Sequence, residues 1–465
     1  MNNISTAFRG AAGLTNEYFE ALVTASLAPQ QAILERARER QDTLEIRVAV
    51  YQDLDAKIGA LYDALEPLLQ GEDFVFDQKA ASSGDTDILS ARATSAAADA
   101  TYTITVNNLA QAHRVRGAQQ TSATAALNLS GTFRLNGVQV TVSATDSLND
   151  IRDAIQAAMD AAVDAGTITE SDRVTATIID NYLVLEANAT GTANQITASD
   201  DTGTVLQSLG VLDGTGAFVN VLQAAQDAQF NINGIDITRS SNTGLDDVID
   251  GVTLDLAGTG TTTLTIQADT GAIQARVNDF MAKLNDFLSW LTTKTEVKSN
   301  GDGTYTRGTL ANDTQLRDLR RNLIQTLFAT WNSAPAGSTY TRLDQVGLEL
   351  NEELQVTLDT GDLNNALAAD YNNVADLFNT VIQNVSNLLK PYADGTETLV
   401  DKMVDAANDA LEDQGNRVDR LERALERREE LLRLQIARQF AAISAYNDQG
   451  RYMTLTLFGF GGVTA

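Results

Sequence analysis

Toward the end of the chain Val404, Leu411, Val418, Leu425 and Leu432 recur every seven residues, with Leu421 three residues after Val418 and Glu and Arg crowded between them. On a helix such a row forms one narrow apolar seam, and a seam that narrow is buried only against another helix. The second row is interrupted by Gln414, Arg428 and Gln435, and the stripe then moves to Ile436, Phe440 and Ile443. A helix starting near Leu399 therefore requires a partner.

The other end of the chain offers one. From Pro29, read as a first helical residue, apolar side chains stand at Ile33, Ala37, Leu44, Val48, Tyr51, Leu54, Ile58, Leu61 and Leu65, and Pro67 and Gly71 close the pattern. The expectation is a leg whose seam sets Leu411, Val418, Leu421, Leu425 and Leu432 against Val48, Tyr51 and Ile58. A zipper between two copies of the last helix is the alternative.

Between these ends the period drops to two. Tyr102–Val106, Phe133–Leu135, Val138–Val142 and Thr262–Ile266 alternate as half-buried strands do, and Asn136-Gly137 and Asn233-Gly234 are two-residue hairpin turns. Leu148–Ala162 interrupts them with a helical pattern. One unit occurs twice: Phe133-Arg-Leu-Asn-Gly-Val-Gln-Val-Thr followed by Ser147-Leu-Asn-Asp-Ile151, and Phe230-Asn-Ile-Asn-Gly-Ile-Asp-Ile-Thr followed by Gly244-Leu-Asp-Asp-Val248. Two copies are too few for a solenoid and predict two head subdomains, one inserted in the other. After Asp269 the helical period returns.

This order predicts an α+β multidomain fold, with a helical, coiled-coil leg built from both chain ends and an inserted β-rich head of two subdomains. The expected division is a mobile N-terminal segment (1–30), a leg helix (31–75), a head subdomain (76–128 and 226–270), an inserted head subdomain carrying the Asn-Gly motif (129–225), a helical leg (271–448) and a mobile C-terminal segment (449–465).

Composition removes whole classes of chemistry. The 465 residues hold 33 Lys and Arg against 62 Asp and Glu, a net charge of −29, which repels phosphate backbones and argues against nucleic acid as a partner. With no cysteine and one histidine, His113, neither a thiolate nucleophile nor a multi-His metal site can form. His113 itself, beside Arg114 and Arg116, reads as a surface or ladder residue. Asp200-Asp201 and Asp246-Asp247 lack the spacing of a calcium loop and read as solvated turns. No catalytic, cofactor or metal site is expected, and the chain reads as no enzyme. No run reaches the roughly 18 apolar residues of a membrane span, so no membrane insertion is expected, and Met1–Leu14 has no secretory h-region.

Four stretches carry a resemblance: Tyr102–Arg114, Phe230–Leu254, Gly308–Arg320, and Val346–Leu348 leading to Asp376–Phe378. In this order they resemble the bacterial flagellar filament cap family, the hook-associated protein 2 family. The resemblance implies a structural assembly factor at the flagellar tip: a cyclic homo-oligomer, of about five or six subunits, that retains exported flagellin and promotes its folding and insertion. It implies flagellin, hook–filament junction proteins and an export chaperone as partners, and export by the flagellar type III apparatus without a cleaved signal. The alternative is a surface adhesin or glycan-binding protein with a β-rich head.

Overall fold

The computed structural model describes residues 16–352 and 354–458 and divides the chain into two compact units. One is built from the chain up to Gly71 and from Ala275 onward, and the other from Glu72 to Gln274.

The first unit is helical. α1 spans Asn16–Asp63 and carries Pro29 inside it, so the helix does not begin at that proline. Residues 16–30, expected as a mobile segment, are helical, and so are 449–458 of the other expected mobile segment. The outer parts of both, 1–15 and 459–465, lie outside the described residues. The physical reason is burial: Phe19, Val23 and Leu27 pack against Ile436 and Phe440, an apolar gain that outweighs the single backbone bond a proline removes. The expected leg helix also stops earlier than residue 75, at Asp63, and Pro67 sits at the start of a short 3-10 turn, Glu66–Leu68, where its missing N–H costs nothing.

Further buried side chains line the helices in the C-terminal part of this unit. Phe280, Phe287 and Leu291 are buried along one helix, Leu316, Leu319, Leu323 and Leu327 along a second, and Phe378, Val381 and Leu389 along a third. Two small hairpins interrupt these helices.

The second unit is β-rich and contains two separate cores. In the outer one, a five-stranded antiparallel sheet of order β1-β15-β3-β11-β12 (Lys79–Ser83, Gly260–Ala268, Ala100–Asn108, Ala228–Ile232, Ile235–Arg239) contributes Ile104, Val106, Phe230 and Leu264. A three-stranded sheet, β13-β14-β2 (Leu245–Ile249, Val252–Leu256, Leu89–Ala93), contributes Leu89, Leu245, Val252 and Leu254 to the same core.

The inserted core is formed by β10-β4-β8-β7 (Asn220–Gln223, Ala112–Arg116, Tyr182–Thr190, Val174–Ile179), by β6-β5-β9 (Val138–Val142, Gly131–Leu135, Ala198–Thr202), and by α2 (Leu148–Asp164). Its boundary differs from the expected 129–225. β4 pairs with β8 and β10, and Val115 is buried among the inserted side chains, so the stretch from Ala112 belongs here and not to the outer subdomain. No strand was expected at 112–116, and the sheet a strand joins is chosen by long-range pairing, which sequence alternation does not show.

At the crossing between the two cores, Gln111 and Gln226 form an isolated bridge. Beside it, the Ala110 N–H donates to Asn242 Oδ1 at 2.7 Å, and Asn242 Nδ2 donates back to the Ala110 carbonyl at 2.9 Å.

Candidate functional site: the paired terminal helices

The element that faces α1 is the last helix of the chain. With the helices after α2 numbered α3 (Val205–Ser208), α4 (Thr270–Thr295), α5 (Thr314–Leu327), α6 (Thr360–Ala369) and α7 (Tyr371–Ala393), it is α8, Leu399–Phe458. Phe19, Val23 and Leu27 of α1 meet Leu425, Leu432, Ile436 and Phe440, and Leu34 and Ala37 meet Val418, Leu421 and Leu425. Numbers rise on one helix as they fall on the other, so the pair is antiparallel.

The seam residues are thus brought together in part. Val418 is buried, and Leu421, Leu425 and Leu432 are half-buried against α1. Their partners are not Val48, Tyr51 and Ile58. Leu34 and Ala37 lie two heptads ahead of Val48 and Tyr51, and a seam that repeats every seven residues looks the same after a two-heptad slide. The chain ends resolve the degeneracy, because packing Phe19 on Phe440, with ring centroids 6.3 Å apart, uses the whole length of α1.

The other predicted residues have their own places. Val48 is buried, and Tyr51 lines a groove of about 360 Å3 shared with Leu399, Met403, Ala406 and Ala410 of α8. Burial pushes the Tyr51 hydroxyl above its ordinary pKa. Ile58 is fully buried, and Leu411 is half-buried on α8.

Polar contacts fix this register. Gln414, which breaks the apolar row, is buried, and its Nε2 donates to the Ala37 carbonyl at 2.7 Å. A polar residue at such a position selects one alignment, since sliding the helices leaves a buried amide without a partner. Arg38 Nη2 donates to Glu422 at 2.7 Å, and Arg433 donates from Nη1 and Nη2 to both carboxylate oxygens of Glu20 at 2.7 and 2.8 Å. The Arg433 hydrogen bond holds the Glu20 carboxyl below the usual range. These pairs are exposed and steer alignment more than they stabilise it.

Phe19, Val23, Leu27 and Leu34 are what the sequence reading missed. The signal was present, since Leu27 and Leu34 continue the seven-residue row that leads to Val48. Reading Pro29 as a helix start hid it.

The candidates weighed for chemistry are occupied by structural work. His113 is not a surface residue. It is 1% exposed, its Nδ1 accepts the Ile196 N–H at 3.2 Å, it stands edge-on to Phe218 at 5.3 Å, and burial lowers its pKa. An imidazole that accepts at Nδ1 carries its proton on Nε2 and is neutral. Asp200 accepts the Leu206 and Gln207 N–H groups at 2.8 and 3.2 Å, Asp201 pairs with Arg134 at 2.8 Å, and Asp247 pairs with Arg239 at 3.1 Å. Among the described residues no group of three acidic or histidine side chains is placed to hold a metal ion, and no helix is long and apolar enough to cross a membrane.

Residues 15–113 match the family description "Flagellar hook-associated protein 2 N-terminus", and residues 225–448 match "Flagellar hook-associated protein 2 C-terminus". The stretch between the two matches falls on the inserted subdomain, from β4 to β10. The chain is 28% identical over 438 residues to the B-type flagellar hook-associated protein 2 of Pseudomonas aeruginosa, covering 88% of each. It is 26% identical over 240 residues to flagellar hook-associated protein 2 of Aeromonas caviae, covering 50% of this chain and 49% of that one. The crystal structure of the flagellar cap protein FliD D1-D2-D3 domains from Escherichia coli aligns with a TM-score of 0.56 at 26% identity, covering 77% of this chain and 99% of the other.

Proposed function

The chain belongs to the flagellar hook-associated protein 2 family, whose members are structural flagellar cap proteins and not enzymes, and from that premise we propose that it caps the filament as a closed ring of identical subunits. In this reading the ring retains exported flagellin at the tip and promotes its folding and insertion. Hook–filament junction proteins and an export chaperone are its further partners, and the flagellar export apparatus carries it outward.

The observation that supports this reading best is the joint match of both chain ends, in the family's order, onto helices that pair with each other. A ring needs a heterologous interface, and a leg that meets a helical lattice of different symmetry must be able to shift. A long two-helix leg held by a narrow seam and exposed ion pairs supplies that compliance without unfolding the β-rich unit, which has its own cores.

The test has two arms. Purified full-length chain should form closed rings visible by negative stain and native mass spectrometry, and monomers at every concentration and salt would overturn the ring. In a cap-deletion strain, L421D with L425D should abolish motility and release unpolymerised flagellin. Each aspartate would put a charge into the half-buried seam against Leu34 and Ala37, at a cost of about 2–4 kcal/mol. Normal filaments from that variant would show that the paired helices do not guide assembly.

A further inference from the structure

Along the outer face of α5 the chain leaves a groove of about 700 Å3. Its apolar lining comes from Val297, Ile324 and Leu354, and its rim carries Arg317, Arg320 and Arg321 against one lining carboxylate, Glu296. Val297 and Leu354 are 43% and 44% exposed, large apolar side chains left in water. Leu354 also stands at φ +60°, a left-handed conformation that a residue with a Cβ adopts at a cost, so strained backbone holds it at the groove. Arg321 pairs with Asp318 at 2.9 Å and Arg320 donates to Thr292 Oγ1 at 2.6 Å. Arg317 has no ion pair among the described residues. On a chain of net charge −29 this is a local reversal of sign.

The same helical unit presents the complement. On α8, Asp405, Asp409 and Glu412 are exposed at i, i+4 and i+7, with Lys402 the one cation between Leu399 and Arg417. None of the three forms an ion pair among the described residues. Like charges four apart on a helix repel, so this ridge is destabilising in the single chain and is relieved by cations from outside.

We propose that in the ring the basic groove on α5 of one subunit receives the acidic ridge of α8 from the next, a second copy of this chain being the occupant. The inference rests on the ring reading. Groove and ridge are different surfaces carried by every copy, which is what a head-to-tail contact requires. A contact made mainly of exposed charges has fast exchange and strong salt dependence, and so ties neighbouring legs while letting them part.

The absence of cysteine makes the test direct. Full-length Gln325→Cys, in the groove, and full-length Asn408→Cys, on the ridge, are mixed and treated with a short bis-maleimide. A cross-linked heterodimer is expected, with yield falling about tenfold between roughly 50 and 500 mM salt. Adding R317E and R321E to the Gln325→Cys chain should abolish it, and adding D405K and D409K to the Asn408→Cys chain should restore it, which separates charge from misfolding. Rings that form while no cross-link does, or a cross-link indifferent to the charge reversals, would overturn the groove contact and leave the ring standing. Absence of rings from the unchanged chain would overturn the ring reading instead.

Discussion

The two Asn-Gly units begin alike and end differently. In both, the asparagine takes a left-handed backbone, φ 45° at Asn136 and 50° at Asn233, and in both it grips the next strand with the same pair of bonds. The Asn136 N–H donates to the Thr197 carbonyl at 2.9 Å while its Oδ1 accepts the Thr197 N–H at 2.8 Å. The Asn233 N–H donates to the Thr103 carbonyl at 3.0 Å while its Oδ1 accepts the Thr103 N–H at 2.8 Å.

Eleven residues later the paths separate. Ser147 caps α2: its Oγ accepts the Asp150 N–H at 3.3 Å, and Asp150 accepts the Ser147 N–H at 2.9 Å. The equivalent Gly244 has no side-chain oxygen, and Leu245–Ile249 becomes β13. Gly251, at φ +71°, then turns the chain into β14, where a Cβ would meet the Ala97 nitrogen at 2.6 Å. The aspartate shared by both units is retained with a new partner, since Asp247 binds Arg239 where Asp150 binds its own cap. A hairpin is therefore a portable local device, whereas the element after it is decided by the cap and by the apolar period that follows.

The largest effect expected from breaking this parallel comes from the buried rings. Phe133→Ala and Phe230→Ala each empty a fully buried site and should cost about 3–5 kcal/mol. Hydrogen exchange should show Phe133→Ala loosening α2 and β5–β9 while β1, β3 and β15 keep their protection, and Phe230→Ala loosening the outer sheets. Loss of protection throughout in both variants would mean that the two cores unfold as one.

Next come the turns. Asn136→Ala and Asn233→Ala each remove a side-chain acceptor and a residue that tolerates positive φ, for about 1–2 kcal/mol by urea denaturation. Asn136→Ala should cost more, because Asn136 Nδ2 also donates to the Asp172 carbonyl at 2.8 Å. Ser147→Ala should lower stability by about 1 kcal/mol. Gly244→Ser, by contrast, should add no helix in circular dichroism, because the pairing of β13 with β14 remains.

The smallest effect is in pH and salt. Both aspartates are held below the usual carboxylate range, Asp150 by the Ser147 hydroxyl and then its N–H, Asp247 by the Arg239 guanidinium. A depressed carboxyl stabilises the fold above its unfolded pKa of about 3.9, and that contribution is lost as pH falls through the lower folded value. Acid melting should therefore be shallower in Ser147→Ala and in Arg239→Gln than in the parent. Salt should weaken the Arg239 contribution and leave the neutral-hydroxyl cap nearly unchanged.

Much of this was legible beforehand because it is local. The Asn-Gly turns need a positive φ that few residues accept, and the strands around them alternate over several residues. The helical ends declare themselves by their period, and the resemblance carried by Tyr102–Arg114 and Gly308–Arg320 led to the family that both chain ends match. What escaped was each choice between locally equivalent answers. Nothing in 112–116 says which sheet its strand joins, and nothing in Leu245-Asp-Asp-Val248 forbids a helix.

The seam of the terminal helices states the same division most sharply. By itself the sequence determined that α1 and α8 carry apolar rows seven residues apart and need partner helices, because helix period and burial are properties of single segments. Only the tertiary structure decided that Val418 and Leu421 meet Leu34 and Ala37 and not Val48 and Tyr51. A seven-residue repeat has the same energy after a slide by whole heptads, and that tie is broken by contacts far apart in the chain: Phe19 on Phe440, Gln414 on the Ala37 carbonyl, and Glu20 on Arg433.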